Sequence, residues 1–539
     1  MLLSCVFIVA ILAGPLSNND ALVPGATLQA LVANAQAQGA ASVLVPSAQY
    51  NFSTSTFAIA NAANLTINGA GSTLWFAPGG GVALHNCTNV SLTNFDLDFT
   101  PTLAQGTVVS VDIAAHSFQA DFDPIFLPAN ELVPPDSMSK MKVLFIDPRT
   151  KRMVRNPRDP AAINIFTTPP LVVPTPSAAH PHRYRVNVTG NLGNGWTLAA
   201  PNQPVLLFPR GGSHSLLVEA SARCTFTDVH IFGGTAMGVV ESGGAGGHTY
   251  TRFALNRRPL QRGTDMQTLP APQPFRFLAS NADGFHSTSN GIGPSLIDST
   301  ISWTGDDLAN ICCAMSVALT EVAAVSSSGS GSGNAALAMV DVGHNLARAA
   351  KRGDRISFYH LNSLELQGSA VVESVATTKD AAALAAMRSG YTTMQAAPYN
   401  AHFVQGPVAS AFAQGDPIAI TFQGGVVPAF VQKYWSIAVL YATDNSNAVV
   451  KNTTLSDGYA RAFMIKGRDA LFTNSTFRRA GGIWIGPEQP WLEGDPGLRN
   501  VTIEDNVFDA IGLPPVNTRS DFNETGREIV VRNNVVREL

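Results

Sequence analysis

Short runs of alternating apolar and polar residues recur along the chain. They are NLTINGAGSTLWF from Asn64, NVSLTNFDLDF from Asn89, CTFTDVHIFGG from Cys224, SLIDSTISWTGDD from Ser295, AVVKNTTLSDG from Ala448, ALFTNSTFRRAGG from Ala470, NVTIEDNVFDA from Asn500 and EIVVRNNVVREL from Glu528. Each holds two or three alternating apolar residues, an Asn or Asp, and a second short apolar pair. Alternation with period two makes a strand with one face turned inward. The polar residue satisfies backbone groups at the turn, and identical turns stacked on one another form Asn ladders. The motif returns after 25 residues from Asn64 to Asn89 and after 22 from Asn452 to Asn474. That is one coil of a parallel β-helix, with strands of successive coils about 4.7–4.9 Å apart. An antiparallel sandwich would not need to recur at one coil length. The predicted fold is all-β, a right-handed parallel β-helix.

Two stretches break the repeat. Residues 100–210 are rich in Pro and contain GTVVSVDIAAHSFQADF, and residues 314–430 contain GDRISFYHLNSLELQGSAVVESV. Both read as small antiparallel β-barrel-like units inserted in coil-connecting loops, the second with a short Ala-rich helix from Asp380 to Arg388. Coils are then expected over 22–99, 211–313 and 431–539, and the run Ser326 to Gly333 is a flexible loop.

The chain has 539 residues, 45% of them hydrophobic, enough for one long solenoid with a large core. Only 13% are charged, the net charge is -4 and the basic residues are scattered, which excludes a phosphate-backbone-binding face and with it nucleic acid as a partner. Residues 1–21 read as a secretory signal, its apolar run from Leu2 to Leu12 too short to span a bilayer. Nine N-x-S/T sequons, at Asn51, Asn64, Asn86, Asn89, Asn187, Asn452, Asn474, Asn500 and Asn523, agree with a secreted protein, although the repeat itself generates Asn-x-Thr. Cys87, Cys224, Cys312 and Cys313 remain after the signal. They suit buried thiols or one long-range bridge, and no CxxC-type metal site or cofactor motif is present.

The chemistry concentrates in SNADGFHSTSNGIGPSLIDSTISWTGDDLANI, from Ser280 to Ile311. Asp283 precedes Asp306 by 23 residues and Asp307 by 24, one coil in each case, so the three carboxylates belong on one face of adjacent coils. Like charges that close keep one carboxyl protonated near neutral pH while another stays ionised, which is what glycoside cleavage needs. The competing structural reading is that these aspartates cap turns while Gly284 and Gly305 supply backbone freedom.

NADGFH followed by TGDDLANI resembles the polygalacturonase-like β-helix hydrolases of the pectin-lyase-like solenoids. It is more similar to glycoside hydrolase family 110, the α-galactosidases acting on α-1,3-linked galactose. RAFMIKGRDALFTNSTFRRAGGIWIGPEQPWLEGDPGLRNVTIEDNVF resembles that family's late region, with an Arg-led strand and a Trp-x-Glu turn bordering the site. The resemblance implies Asp306 as general acid, with Asp283 and Asp307 directing water in an inverting hydrolysis, for which carboxyls about 6.5–9.5 Å apart are required. Where those families often place His-Gly after the Asn, this chain has Cys312-Cys313. The polygalacturonase pattern also expects an Arg-x-Lys for the uronate carboxylate. Only Arg461 and Lys466 offer anything similar, which favours a neutral sugar.

Substrate contacts are expected from Asn281, His286, Asn310, Arg461, Lys466, Glu488, Trp491 and Glu493, with Glu241, before a Gly-rich turn, ranked lower. The expected partner is an oligo- or polysaccharide. Two rivals stand beside the hydrolase: a lyase or epimerase acting on uronate polymers, and a non-catalytic carbohydrate-binding β-helix.

Overall fold

The computed structural model describes residues 22–537 apart from 101–102, 127–140, 155–165, 190–198, 210–211, 259–275, 324–334, 341–346, 348, 378–384, 386–417, 434, 489–490, 512–513 and 519–526. The signal segment, the Ser326–Gly333 run and nearly all of the Ala-rich segment therefore lie outside the described residues.

The chain winds as a right-handed parallel β-helix. Among the described residues, one parallel sheet has 18 strands and a second has nine. The nine run in chain order from Phe57–Ala60 through Val82–His85, Leu216–Glu219, Val239–Ser242, Phe285–Thr288, Ala309–Cys312, Arg461–Ile465 and Gly481–Ile485 to Val516–Thr518, each paired with the next. The alternating apolar residues point inward and stack coil on coil. Phe226 lies over Tyr250 at 4.8 Å and Phe477 over Phe508 at 5.2 Å, both stacked.

The polar break in each motif is a tight turn. Asn61, Asn64, Asn86, Asn89, Asn452 and Asn500 all have φ between 51° and 54°, a left-handed conformation that Asn tolerates better than other side chains. Stacking these turns joins their amides. Asn86 Nδ2 donates to Asn61 Oδ1 at 2.8 Å, Asn89 Nδ2 to Asn64 Oδ1 at 3.0 Å and Asn452 Nδ2 to Asp298 Oδ1 at 3.1 Å. Several sequons are thus rungs of the ladder, and their asparagine amides are already engaged.

Helix Gly25–Ala37 covers the N-terminal coil, burying Leu28, Val32 and Ala35, the i, i+4, i+7 face. Gln29 closes the open strand edge, its amide both donating to Ala58 O at 2.6 Å and accepting from Ala58 N at 3.0 Å.

Two closed six-stranded antiparallel barrels interrupt the winding. The strands from Ala104–Asp112 to Pro204–Pro209 form the first and those from Ser316–Ala323 to Ser436–Leu440 the second, each with its own apolar core. The coil resumes in register after each. Val82 pairs with Leu216 across the first barrel, and Ala309 pairs with Phe463 across the second. All four described cysteines are buried free thiols.

Candidate active site

Three successive strands of the nine-stranded sheet carry the site. Phe285 pairs with Ala309 and Ala309 with Phe463, so the residues two positions earlier, Asp283, Asp307 and Arg461, rise one above another. Parallel stacking thereby turns a separation of one coil into contact. One oxygen from each of Asp283, Asp306 and Asp307 lies within 4.8 Å of the other two. Gly284 and Gly305 serve this approach sterically. A Cβ on Gly284 would lie 2.5 Å from Ile301 Cγ2 and one on Gly305 2.5 Å from Asn281 O, so their role is room between coils and not a positive φ.

Each carboxylate has a cationic neighbour. Arg461 grips Asp307 through Nε and a terminal nitrogen, both at 2.8 Å, and gives its remaining nitrogen to Glu488 Oε1, also at 2.8 Å. His286 Nδ1 donates to Asp283 Oδ2 at 2.9 Å. Lys142, on a strand of the first barrel, sits 3.2 Å from Asp306 Oδ2, donates to Gly305 O at 2.5 Å, and lies 4.5 Å above the ring of Tyr459. Lys142 is almost wholly buried. It was missed from sequence because it lies 163 residues from Gly305, in an insertion with no coil motif.

Glu488 and Glu493 reach the site from a loop folded back on itself. Glu488 N donates to Glu493 O at 2.7 Å, and Gly494 N binds Cys313 O at 2.7 Å. Lys466 joins both glutamates, at 2.8 Å to Glu488 and by a short bond to Glu493, and Asn310 Nδ2 donates to Glu493 Oε2 at 3.3 Å.

Charge balance sets the proton inventory. Five carboxyls, from Asp283, Asp306, Asp307, Glu488 and Glu493, face the basic side chains of Lys142, His286, Arg461 and Lys466. Burial raises Asp307, Arg461 opposes it, and Asp306 and Asp283 push further, leaving its carboxyl at about 6. Burial would also raise Glu488, but Lys466 and Arg461 bring it down to about 2, and Lys466 holds Glu493 below the ordinary range. Burial would lower His286; Cys312, Asp283 and Glu493 more than offset this and hold it well up. The five carboxyls outnumber the four basic side chains by one, and among the aspartates Asp307 is the one held up.

The three aspartates floor a cleft of about 560 Å³. His286, Asn310, Arg461, Glu488, Trp491 and Glu493 line it, with Trp484 and His214. Trp491 is 44% exposed, an apolar face open to a ligand. Asp306, at 13% side-chain exposure against 5% for Asp283 and 4% for Asp307, is the most accessible of the three acids.

Three sequence expectations are corrected here. Asn281 is buried away from the cleft wall, its backbone carbonyl packed under Gly305. Lys466 is fully buried and committed to the two glutamates, so it fixes them and does not meet ligand. Glu241 lies inside the solenoid, accepting from Tyr250 Oη and Ser287 Oγ, each at 2.8 Å, with burial pushing it up to about 7.

Among the described residues, two groups suit a cation by residue type: the three aspartates, and His286 with Cys312 and Glu493. Lys142 and Arg461 already compensate the first.

No family model matches the chain, and no curated protein matches it. Among solved structures, the A-module of mannuronan C-5 epimerase AlgE4 from Azotobacter vinelandii aligns over 96% of this chain and 93% of its own, at 8% identity and a TM-score of 0.27. The A-module of AlgE6 from the same organism aligns over 96% of each chain at 9% identity and a TM-score of 0.26. The tailspike protein gp49 of Pseudomonas phage LKA1 aligns over 90% of this chain and 56% of its own at 9% identity and a TM-score of 0.16. The motif resemblance to family 110 is thus not accompanied by a family match, and the chain is placed by its architecture, a parallel β-helix with two inserted barrels.

Proposed function

We propose that this cleft hydrolyses glycosidic bonds of a neutral, α-galactoside-like glycan outside the cell. The observation that carries the reading is the convergence of three carboxyls within 4.8 Å on the floor of a cleft walled by an exposed tryptophan. Asp306, the most accessible acid, presents a proton to the leaving oxygen. Asp283 and Asp307, immobilised by His286 and Arg461, orient and deprotonate water. The cleft wall is rich in carboxylates, and its arginine already serves Asp307 and Glu488. An anionic uronate would meet repulsion there, whereas sugar hydroxyls find acceptors.

The inverting course rests on the motif resemblance alone. The nearest oxygens are closer than the roughly 6.5–9.5 Å of an ordinary inverting pair, so the anomer of the first product decides the stereochemistry. Incubation with α-galactosides, galacturonans, alginates and mixed cell-wall glycans tests the function. Hydrolysis releases new reducing ends from a neutral glycan. Products with an unsaturated uronate, inversion at C5 without cleavage, or turnover of uronate polymers alone would overturn it.

A further inference from the structure

Beside the aspartates, three side chains of a different kind converge. His286, Cys312 and Glu493 each bring one ligand-type atom within 4.8 Å of the other two. We infer that they form a zinc site with one coordination position open to the cleft. Imidazole, thiolate and carboxylate together are a zinc donor set. Zn–N of about 2.0–2.1 Å and Zn–S of about 2.3 Å at a tetrahedral angle put nitrogen and sulfur roughly 3.5 Å apart. His286 Nε2 and Cys312 Sγ are 3.7 Å apart, so little movement admits the ion.

The surrounding groups are those a metal site uses. A zinc-bound imidazole ordinarily donates its other N–H to a carboxylate, fixing the ring. Here Nδ1 of His286 donates to Asp283 at 2.9 Å, leaving Nε2 turned toward the sulfur. A ligating carboxylate is itself hydrogen-bonded, and Glu493 accepts from Asn310 and Lys466. Cys312 is fully buried while His286 and Glu493 line the cleft, so protein closes one side of the ion and the cleft supplies the remaining position. An oxygen ligand, water or a sugar hydroxyl, would occupy it. The aspartate trio is a poorer cation site, since each of its three members already has a cationic partner, whereas of His286, Cys312 and Glu493 only Glu493 has one, in Lys466.

This inference does not depend on the hydrolytic reading, and its test needs no substrate. The full-length protein, stripped with chelator under reducing conditions, is titrated with Co²⁺ and then with Zn²⁺. The expected result is one equivalent of cobalt with a thiolate-to-metal charge-transfer band in the near ultraviolet, displaced by zinc. Cys312→Ser should abolish the band and weaken zinc binding by at least about 10–100-fold, while Cys87→Ser, at a buried thiol in a distant coil, keeps both. If Cys312→Ser does not fold, Glu493→Gln on the cleft wall should show the same loss of affinity. No cobalt binding, binding without the band, a band that survives Cys312→Ser, or unchanged affinity in Glu493→Gln overturns the site.

Discussion

Lys142 and Asp306 carry the proposed chemistry at the scale of single residues. Lys142 is a buried cation 3.2 Å from the acid that faces the cleft, and a neighbouring cation favours the ionised form of a carboxyl. Replacing it with methionine leaves Asp306 with its two aspartate neighbours and less compensation. The alkaline limb of the rate profile should then move to higher pH, and kcat should fall because Asp306 loses its anchor. In the unaltered protein the alkaline limb belongs to a raised carboxyl, so activity should decline as pH rises through about 6, where Asp307 titrates. A pH–rate profile of both proteins checks both expectations, and superposed profiles would remove Lys142 from the proton balance.

Glu241 makes a separate prediction, for stability. Its folded-state value of about 7 lies above the ordinary value of 4.5, so the folded protein binds more protons between these limits. Its favourable contribution is fully present below about pH 4.5 and is lost as pH rises through 7, at about 1.4 kcal/mol per pH unit at most. Glu241→Gln keeps the shape and cannot ionise, so thermal melts from pH 5 to 8 should lose that component of their slope. An unchanged slope would show that Glu241 is not the titrating group.

At the scale of elements, the ladder turn is the unit that makes a coil stackable. Asn86 combines φ of 52° with an amide bond to Asn61. Asn86→Ala loses the bond and places Ala in the left-handed region, at a cost of about 1–3 kcal/mol, whereas Asn86→Gly loses only the bond. Urea unfolding should rank unaltered protein above Gly above Ala, and Ala equal to Gly would mean that the turn conformation contributes nothing.

The same coil logic explains what could be read from the sequence. Asp283, Asp306 and Asp307 are legible because one coil of separation becomes stacking contact. The ladder asparagines are legible because the left-handed turn selects Asn. Lys142 is not, because barrel residues carry no coil register and its reach depends on how the barrel docks. The grouping of Cys312 with His286 and Glu493 is hidden for a related reason, since it joins two coils to a loop about 180 residues onward and no ligand spacing survives such an insertion. Arg461 and Lys466 share a strand region, yet one lines the cleft and the other is buried and ion-paired to Glu488 and Glu493, which sequence spacing does not reveal.

At the scale of the whole molecule, the solenoid is a rigid register into which two barrels are spliced without shifting the coils. The first barrel contributes Lys142 to the site, and the second separates strand Ala309–Cys312 from its partner Arg461–Ile465 in sequence but not in space. The helix Gly25–Ala37 closes one end, while Val530, Val531, Val535 and Val536 of the last described coil are exposed. The carboxylates therefore owe their geometry to winding and docking more than to local sequence. The most direct measurement is the turnover of an α-galactoside by the unaltered protein and by Asp306→Asn, with matched circular dichroism and melting temperature. Hydrolysis by the first and a fall of at least about 100-fold in the second is the expected result. Equal turnover by two equally folded proteins would contradict Asp306 as the acid and with it the hydrolytic role of the cleft.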